Sequence, residues 1–324
     1  MPDPLAVALM VAACAFAFAN GINDGGALIS IGLKMPVLRP WLAVVFMTLA
    51  VGVVPVVLGT GVATTLATRL VTLSGPTGSL ALLAALIGAA IVVQVLTRRG
   101  IPTSLTLAVI GGITGAGLGA GLAVSWTMVS RVLLIAATAP LFGALVAYAI
   151  TKSFAFMPST HKAARAISRA HVVAFLLVSI AYGANDGQKM LAVFALATGG
   201  TVATGVAPDP VLLAAIAALF ALGAALGVRR LGTRFGSGVL AVRSVNTVSA
   251  ELAAATAVLG SSTIGAPVSM TQAVTGGLVG TGVTDGLRRI RWGVAAGIAT
   301  AWLVTLPMAV VVAGALSLTT RLFV

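Results

Sequence analysis

The sequence predicts an all-α polytopic membrane protein: about ten transmembrane segments in two inverted five-segment repeats, with helices broken at mid-membrane. Three observations predict it. Apolar residues are 59% of the 324 and charged residues only 8%, with a mean hydropathy of +1.14, far from the balance of a soluble domain. The apolar residues gather in long Ala- and Leu-rich runs that do not alternate as strands would. Two polar motifs from the first half of the chain return in the second half at nearly the same offset.

In order, the segments are 5–33, 41–60, 79–97, 102–124 and 131–150, then 171–198, 210–227, 244–259, 264–283 and 293–317. The first is interrupted by Asn20-Gly21-Ile22-Asn23-Asp24-Gly25. The sixth is interrupted by Gly183-Ala184-Asn185-Asp186-Gly187-Gln188-Lys189. Glycines at both places are expected to let the backbone leave helical geometry, since Gly adopts positive φ without a Cβ clash. A continuous helix over the first segment would reach ~40 Å, more than the hydrocarbon core needs. The fourth and ninth segments open on Pro102 and Pro267, where a missing N–H does no harm. Both are read as full crossings that begin with a broken turn.

The stretch Gly100-Ile101-Pro102-Thr103-Ser104-Leu105-Thr106 returns 165 residues later as Gly265-Ala266-Pro267-Val268-Ser269-Met270-Thr271, and the Asn-Asp pair returns after 162. Segments one to five therefore map onto six to ten. Residues 1–150 form the first repeat, 151–170 a basic cytoplasmic linker, and 171–324 the second repeat. Five crossings is an odd number, so the second half enters from the opposite side, with a pseudo-two-fold axis in the membrane plane. Gly111 and Gly115, like Gly276 and Gly280, are spaced by four, which suits close helix packing in lipid.

Charge gives orientation. Of 19 basic residues, fifteen lie in the loops after odd-numbered segments; Arg69, Arg131 and Arg321 lie on the other side, and Lys189 sits inside a segment. That asymmetry places the odd loops in the cytoplasm and both termini outside a plasma (inner) membrane. The net charge of +13 thus reports topology, and no nucleic-acid partner is expected. Cys14 is the single cysteine, so no intrachain disulfide forms. The opening Met-Pro-Asp-Pro has no basic n-region, and no cleavable signal peptide is expected.

The chemistry resides in the interrupted segments. An Asp near the centre of a spanning helix costs roughly 2.5 to 3.5 kcal/mol on translocon scales, so Asp24 and Asp186 point to function. Two broken helices that each offer Asn-Asp at mid-membrane form the pattern of a transporter's binding site. Ser104, Thr106, Ser269 and Thr271 place hydroxyls and free N–H groups at helix N-termini, which suits an oxyanion. Ser and Thr there are also ordinary caps. Buried carboxylates repel an anion, so a cation must stand between them. Na⁺ held by Asn23, Asp24, Asn185 and Asp186, or protonation of the two Asp residues, makes anion binding conditional on the ion.

Lys189 has two readings, direct attraction to the anion or counter-ion to Asp186, and the sequence leaves both open. Glu251 either binds the coupling cation or pairs with a basic residue such as Arg243. Neither His161 nor His171 has a carboxylate or second ligand at metal-binding spacing, so no metal site beyond Na⁺ is expected. No cofactor is implied.

These motifs resemble the inorganic phosphate transporter (PiT) family. The resemblance rests on Gly183 to Lys189, on Ser249-Ala250-Glu251 followed by Gly265 to Thr271, and on Ala301-Trp302-Leu303-Val304-Thr305-Leu306-Pro307. It implies secondary active import of phosphate by Na⁺ or H⁺ symport with alternating access. It also implies an ion and anion site at Asn23, Asp24, Ser104, Thr106, Asn185, Asp186, Ser269 and Thr271. Leu107 and Gln272 stand where the family usually has His, Ala27 and Lys189 where a second Asn often follows, and Met47 where some members carry an acid. A sulfate or other oxyanion permease of the same family is the alternative. A membrane enzyme acting on phosphorylated lipid is more remote, since no cluster of His, Arg or metal ligands accompanies the carboxylates. A passive channel fits the broken-helix repeat poorly. The partners expected are phosphate, the coupling cation and the lipid bilayer, and the sequence is compatible with a homodimer.

Overall fold

A computed structural model describes residues 3–99, 103–154, 156, 160–200, 208–231 and 243–320. Pro102, Arg234 and Arg321, and the side chains of Arg229 and Arg230, lie outside the described residues.

The described chain is nearly all helical. In order come α1 (Pro4–Gly32), α2 (Pro40–Val57), α3 (Gly61–Thr64, running into a π-helical turn Thr65–Arg69), α4 (Gly75–Arg98), α5 (Leu105–Ala120) and α6 (Trp126–Phe154). Then follow α7 (His161–Ala197), α8 (Pro210–Leu231), α9 (Ser244–Thr263), α10 (Met270–Asp285) and α11 (Trp292–Thr320). Caps set several starts. Asp3 accepts from the Leu5 N–H at 3.0 Å ahead of Pro4, and Thr160 accepts from the Ala163 N–H at 3.2 Å.

Seven of these helices are long and apolar enough to cross a membrane: α1, α2, α4, α6, α7, α8 and α11. The other three expected crossings fall short. α5 and α10 have 16 residues each, ~24 Å at 1.5 Å per residue against a ~30 Å hydrocarbon core. α9 carries Asn246, Ser249 and Glu251. The physical reason is position: every residue from Leu105 to Gly117 is buried, and so is most of α9. Helices wrapped in protein need neither lipid-matched length nor lipid-like composition. The lipid-facing character lies instead on α6 and α11, where Leu134, Leu141, Leu145, Leu303 and Val311 are exposed.

Two further expectations are corrected. The connector after α6 is helical from His161, because His161-Lys162-Ala163-Ala164-Arg165 is a run without helix breakers behind a Thr cap. The stretch after α2, read as loop, contains α3; its first turn is held from outside the segment, since the Val62 and Ala63 N–H groups donate to Gln188 Oε1 at 2.8 and 3.2 Å.

The interruptions at Asn23-Asp24 and Asn185-Asp186 do not unwind. Each is a π-helical turn, Gly21–Gly25 and Gly183–Gly187, inside a continuous helix. Their glycines keep right-handed helical angles, with φ of −58° at Gly21 and −59° at Gly183. These glycines are needed for close approach: a Cβ on Gly21 would overlap the Phe220 carbonyl of α8, and one on Gly183 would overlap the Ala50 carbonyl of α2. A π turn adds a residue to the helical circuit and re-aims the side chains around it, as single-turn π-bulges at functional sites do.

Packing exchanges partners between the two halves of the chain. α5 packs on α4 and α11, and α10 on α9 and α6; α4 also meets α1 and α11, while α9 meets α7 and α6. The π turn of α1 lies on α8 and the π turn of α7 on α2. The glycine pairs spaced by four serve these contacts, since a Cβ on Gly115 would overlap the Val310 carbonyl and one on Gly280 the Ala144 carbonyl.

Candidate functional site

The two π turns bring their acids into one interior. Asp24 is 5% exposed and Asp186 1%, and Asp24 lies within electrostatic reach of both Asp186 and Lys189. Tyr182, wholly buried one turn before Asp186, lies within electrostatic influence of both carboxylates without bonding to either. Its ring tilts against Phe220, with centroids 5.3 Å apart, and Phe220 packs over Gly25 beside Asp24. Tyr182 and Phe220 thus tie the turn of α7 to the turn of α1 through α8.

Asp186 has an ion-pair partner one turn on in the same helix. Lys189 Nζ is 2.8 Å from Asp186 Oδ1, 2.6 Å from Thr106 Oγ1, and also donates to the Val268 carbonyl. Thr106 is on the first turn of α5, and Val268 immediately precedes the Ser269 cap of α10. An ammonium has three N–H donors, and here three oxygens accept them. The pair is among the most buried in the molecule, with side chains 2% and 1% exposed.

Asn185 is wholly buried and staples the chain ahead of α10. Its Oδ1 accepts from the Val268 N–H at 3.1 Å, and its Nδ2 donates to Ser262 Oγ at 3.0 Å and to the Ala266 carbonyl at 3.1 Å. Gly265 in that segment takes φ +68°, a left-handed angle that disfavours a side chain, and sits against the Gly61 carbonyl. The repeat counterpart Asn23 is only half-buried. Ser104 and Ser269 both cap: their hydroxyls accept from the Leu107 N–H at 3.3 Å and the Gln272 N–H at 3.4 Å. Ser269 Oγ also lies 2.9 Å from Thr271 Oγ1.

Glu251 is elsewhere. Its Oε2 lies 2.9 Å from His171 Nδ1, while His171 Nε2 is 2.9 Å from the Gly32 carbonyl at the end of α1. The carboxylate partner of His171 that sequence spacing failed to provide is therefore Glu251, 80 residues away. Of the two readings of Glu251, pairing with a basic residue falls to His171 and not to Arg243, which lies 3.4 Å from Asp285 at the end of α10. Among the described residues, no group of three His, Cys, Asp or Glu side chains is placed to hold a metal ion.

Several buried oxygens lack a protein partner among the described residues, including Asp186 Oδ2, Asn20 Oδ1 and Tyr182 Oη. Asn20 is one turn before Asp24 and Tyr182 one turn before Asp186. A carboxylate, an amide oxygen and a phenol are donors suited to a hard cation. Sequence reasoning missed Gln188, Tyr182 and Asn20 as parts of this interior. Tyr182 and Asn20 occupy equivalent places, 162 residues apart, at the edge of the repeated motif, and that spacing was the available signal.

Comparison with known proteins bears on this arrangement. Residues 20–166 and again 157–313 match the model of the phosphate transporter family. A probable low-affinity inorganic phosphate transporter of Mycobacterium leprae is 35% identical over 319 residues, covering 94% of this chain and 75% of its own. One of Bacillus subtilis with the same description is 27% identical over 314 residues, covering 94% and 93%. A solved structure described as the sodium-dependent phosphate transporter superposes with a TM-score of 0.85 at 20% identity, over 99% of this chain and 100% of that one, a likeness of fold.

Proposed function

The chain belongs to the phosphate transporter family, and we propose that it imports inorganic phosphate across the plasma membrane by symport with a cation. Membership makes it an integral membrane transporter and not an enzyme. The observation that carries the mechanistic reading is the convergence of Asp24 and Asp186, from helices 162 residues apart in sequence, in one buried interior beside Thr106. Asp186 is neutralised by Lys189. Asp24 has no such partner of its own helix, so its charge is the one that an incoming Na⁺ or H⁺ balances before an oxyanion settles nearby. Asn23, half-buried beside it, and the oxygens of Asn20 and Tyr182 complete the cation's surroundings, while Ser104, Thr106, Ser269 and Thr271 border the anion at the starts of α5 and α10. Asn185 acts by holding the segment before Ser269, and Glu251 by holding α7 to α9 and to the end of α1 through His171.

The exchanged packing supports the reading of 1–150 and 171–324 as inverted repeats joined by the basic connector, and the loop charges support both termini outside. It also suggests which bodies move in alternating access. α4, α5 and α11 form one packed group and α6, α9 and α10 the other, each drawn from both halves of the chain. These groups rock about the acid turns of α1 and α7.

The test is uptake of labelled phosphate into proteoliposomes with a Na⁺ gradient or a pH gradient imposed alone. Phosphate accumulation under one of them supports symport and identifies the ion. Accumulation without any gradient, or uptake abolished by excess sulfate, would overturn the phosphate symport reading.

A further inference from the structure

We propose that the place where Lys189 Nζ sits is a monovalent-cation site permanently filled by a tethered ammonium, and that one coupling cation is thereby built into the chain. The inference rests on the phosphate symport reading and goes beyond it to the number of ions moved.

The ammonium meets a carboxylate oxygen of Asp186, the hydroxyl of Thr106 and the backbone carbonyl of Val268. A charged, a hydroxyl and a carbonyl oxygen converging on one point are hard oxygen ligands of the kind that coordinate Na⁺ in broken-helix transporters. Three separate elements supply them: α7, the first turn of α5 and the chain entering α10. That assembly closes the interior between the two packed groups. All three N–H donors are spent on these oxygens, so none remains for an oxyanion. The amine serves as the cation of the site and not as the anion's ligand. The staple from Asn185 to the Val268 N–H fixes the carbonyl that caps the cage.

A lysine is tethered and cannot be released to the cytoplasm with phosphate. A chain with this ammonium therefore moves one cation fewer per phosphate than the same chain without it. The site vacated by Lys189→Ala retains Asp186 Oδ1, Thr106 Oγ1 and the Val268 carbonyl and should admit a small free cation.

The experiment compares wild-type and Lys189→Ala full-length protein, purified and reconstituted, with Na⁺, K⁺, methylammonium or choline present. Wild-type phosphate uptake is measured first; if that is absent under every gradient, the symport reading fails, not the cage. Given wild-type uptake, and with the gradient that drives it held fixed in every arm, Lys189→Ala is expected to lose at least about tenfold in rate when choline is the added cation, as when one partner of a buried ion pair is removed. Methylammonium or a small alkali cation should restore much of it, whereas methylammonium leaves the wild type unchanged. The cations carried per phosphate, read from the reversal potential, should rise by one. A readout independent of transport is the melting temperature in detergent, which methylammonium should raise for Lys189→Ala and not for the wild type. The double variant Asp186→Asn with Lys189→Gln removes both charges of the pair and should not respond to methylammonium. Lys189→Ala uptake in choline at the wild-type rate would overturn the proposal. So would a melting temperature insensitive to every cation, or an equal cation response in the double variant.

Discussion

Replacing Asn185 by Leu separates a ligand from a scaffold residue. The side chain is wholly buried and makes three good hydrogen bonds: it accepts from Val268 N–H at 3.1 Å and donates to Ser262 Oγ at 3.0 Å and the Ala266 carbonyl at 3.1 Å. Leu fills a similar volume and returns none of these. Two orphaned backbone groups in an interior cost about 1–3 kcal/mol each. Hydrogen bonds between membrane helices average only about 0.6 kcal/mol, because the inserted unfolded state finds other partners. Three bonds at that lower figure and two orphans at the higher one bracket the loss at roughly 2 to 6 kcal/mol. Even the low end should lower the melting temperature in detergent by roughly 3 °C. The Val268 carbonyl should move with its N–H, so phosphate uptake falls as well. Asn23→Ala, at the half-buried counterpart, should instead change uptake with the melting temperature nearly constant. An Asn185→Leu protein that melts like the wild type, with only its KM for phosphate raised, would refute this reasoning and make Asn185 a direct ligand.

Other outcomes follow from the same structure. Asp24→Asn should abolish gradient-driven phosphate uptake in proteoliposomes while the protein still inserts and elutes as folded, because the lost charge has no ion pair to break among the described residues. Glu251→Ala leaves the buried His171 Nδ1 without its 2.9 Å partner and should cost about 1.5–3 kcal/mol in detergent unfolding, with Glu251→Gln recovering part of it by keeping one hydrogen bond. Gly115→Leu and Gly280→Leu should each destabilise by about 1–3 kcal/mol or more, since a side chain there meets a backbone carbonyl of the neighbouring helix; thermal melting checks this, and Ala should be milder than Leu.

Class and the identity of the paired motifs were legible in the sequence because each is a local property. Apolar runs and a repeated string need no knowledge of which helix touches which. Asp24, Asp186 and Lys189 were singled out as residues foreign to an apolar run and Thr106 as a hydroxyl at a helix start, and the structure places all four in one interior. The sequence misjudged backbone details where packing overrides propensity. Gly21 and Gly183 signalled unwinding, yet they stay helical because their absent Cβ makes room for α8 and α2. α3 escaped notice because its first N–H groups are satisfied by Gln188, more than 120 residues away.

By itself, then, the chain's composition determined a membrane protein, and its repeated Asn-Asp and Ser/Thr strings determined where in that protein to look. Tertiary structure alone decided the partners. Lys189 and Thr106 lie 83 residues apart, as do Asn185 and Val268, and His171 and Glu251 lie 80 apart. At such separations a buried donor selects its acceptor by where helix packing leaves an unpaired oxygen, and no spacing rule along the chain encodes that choice.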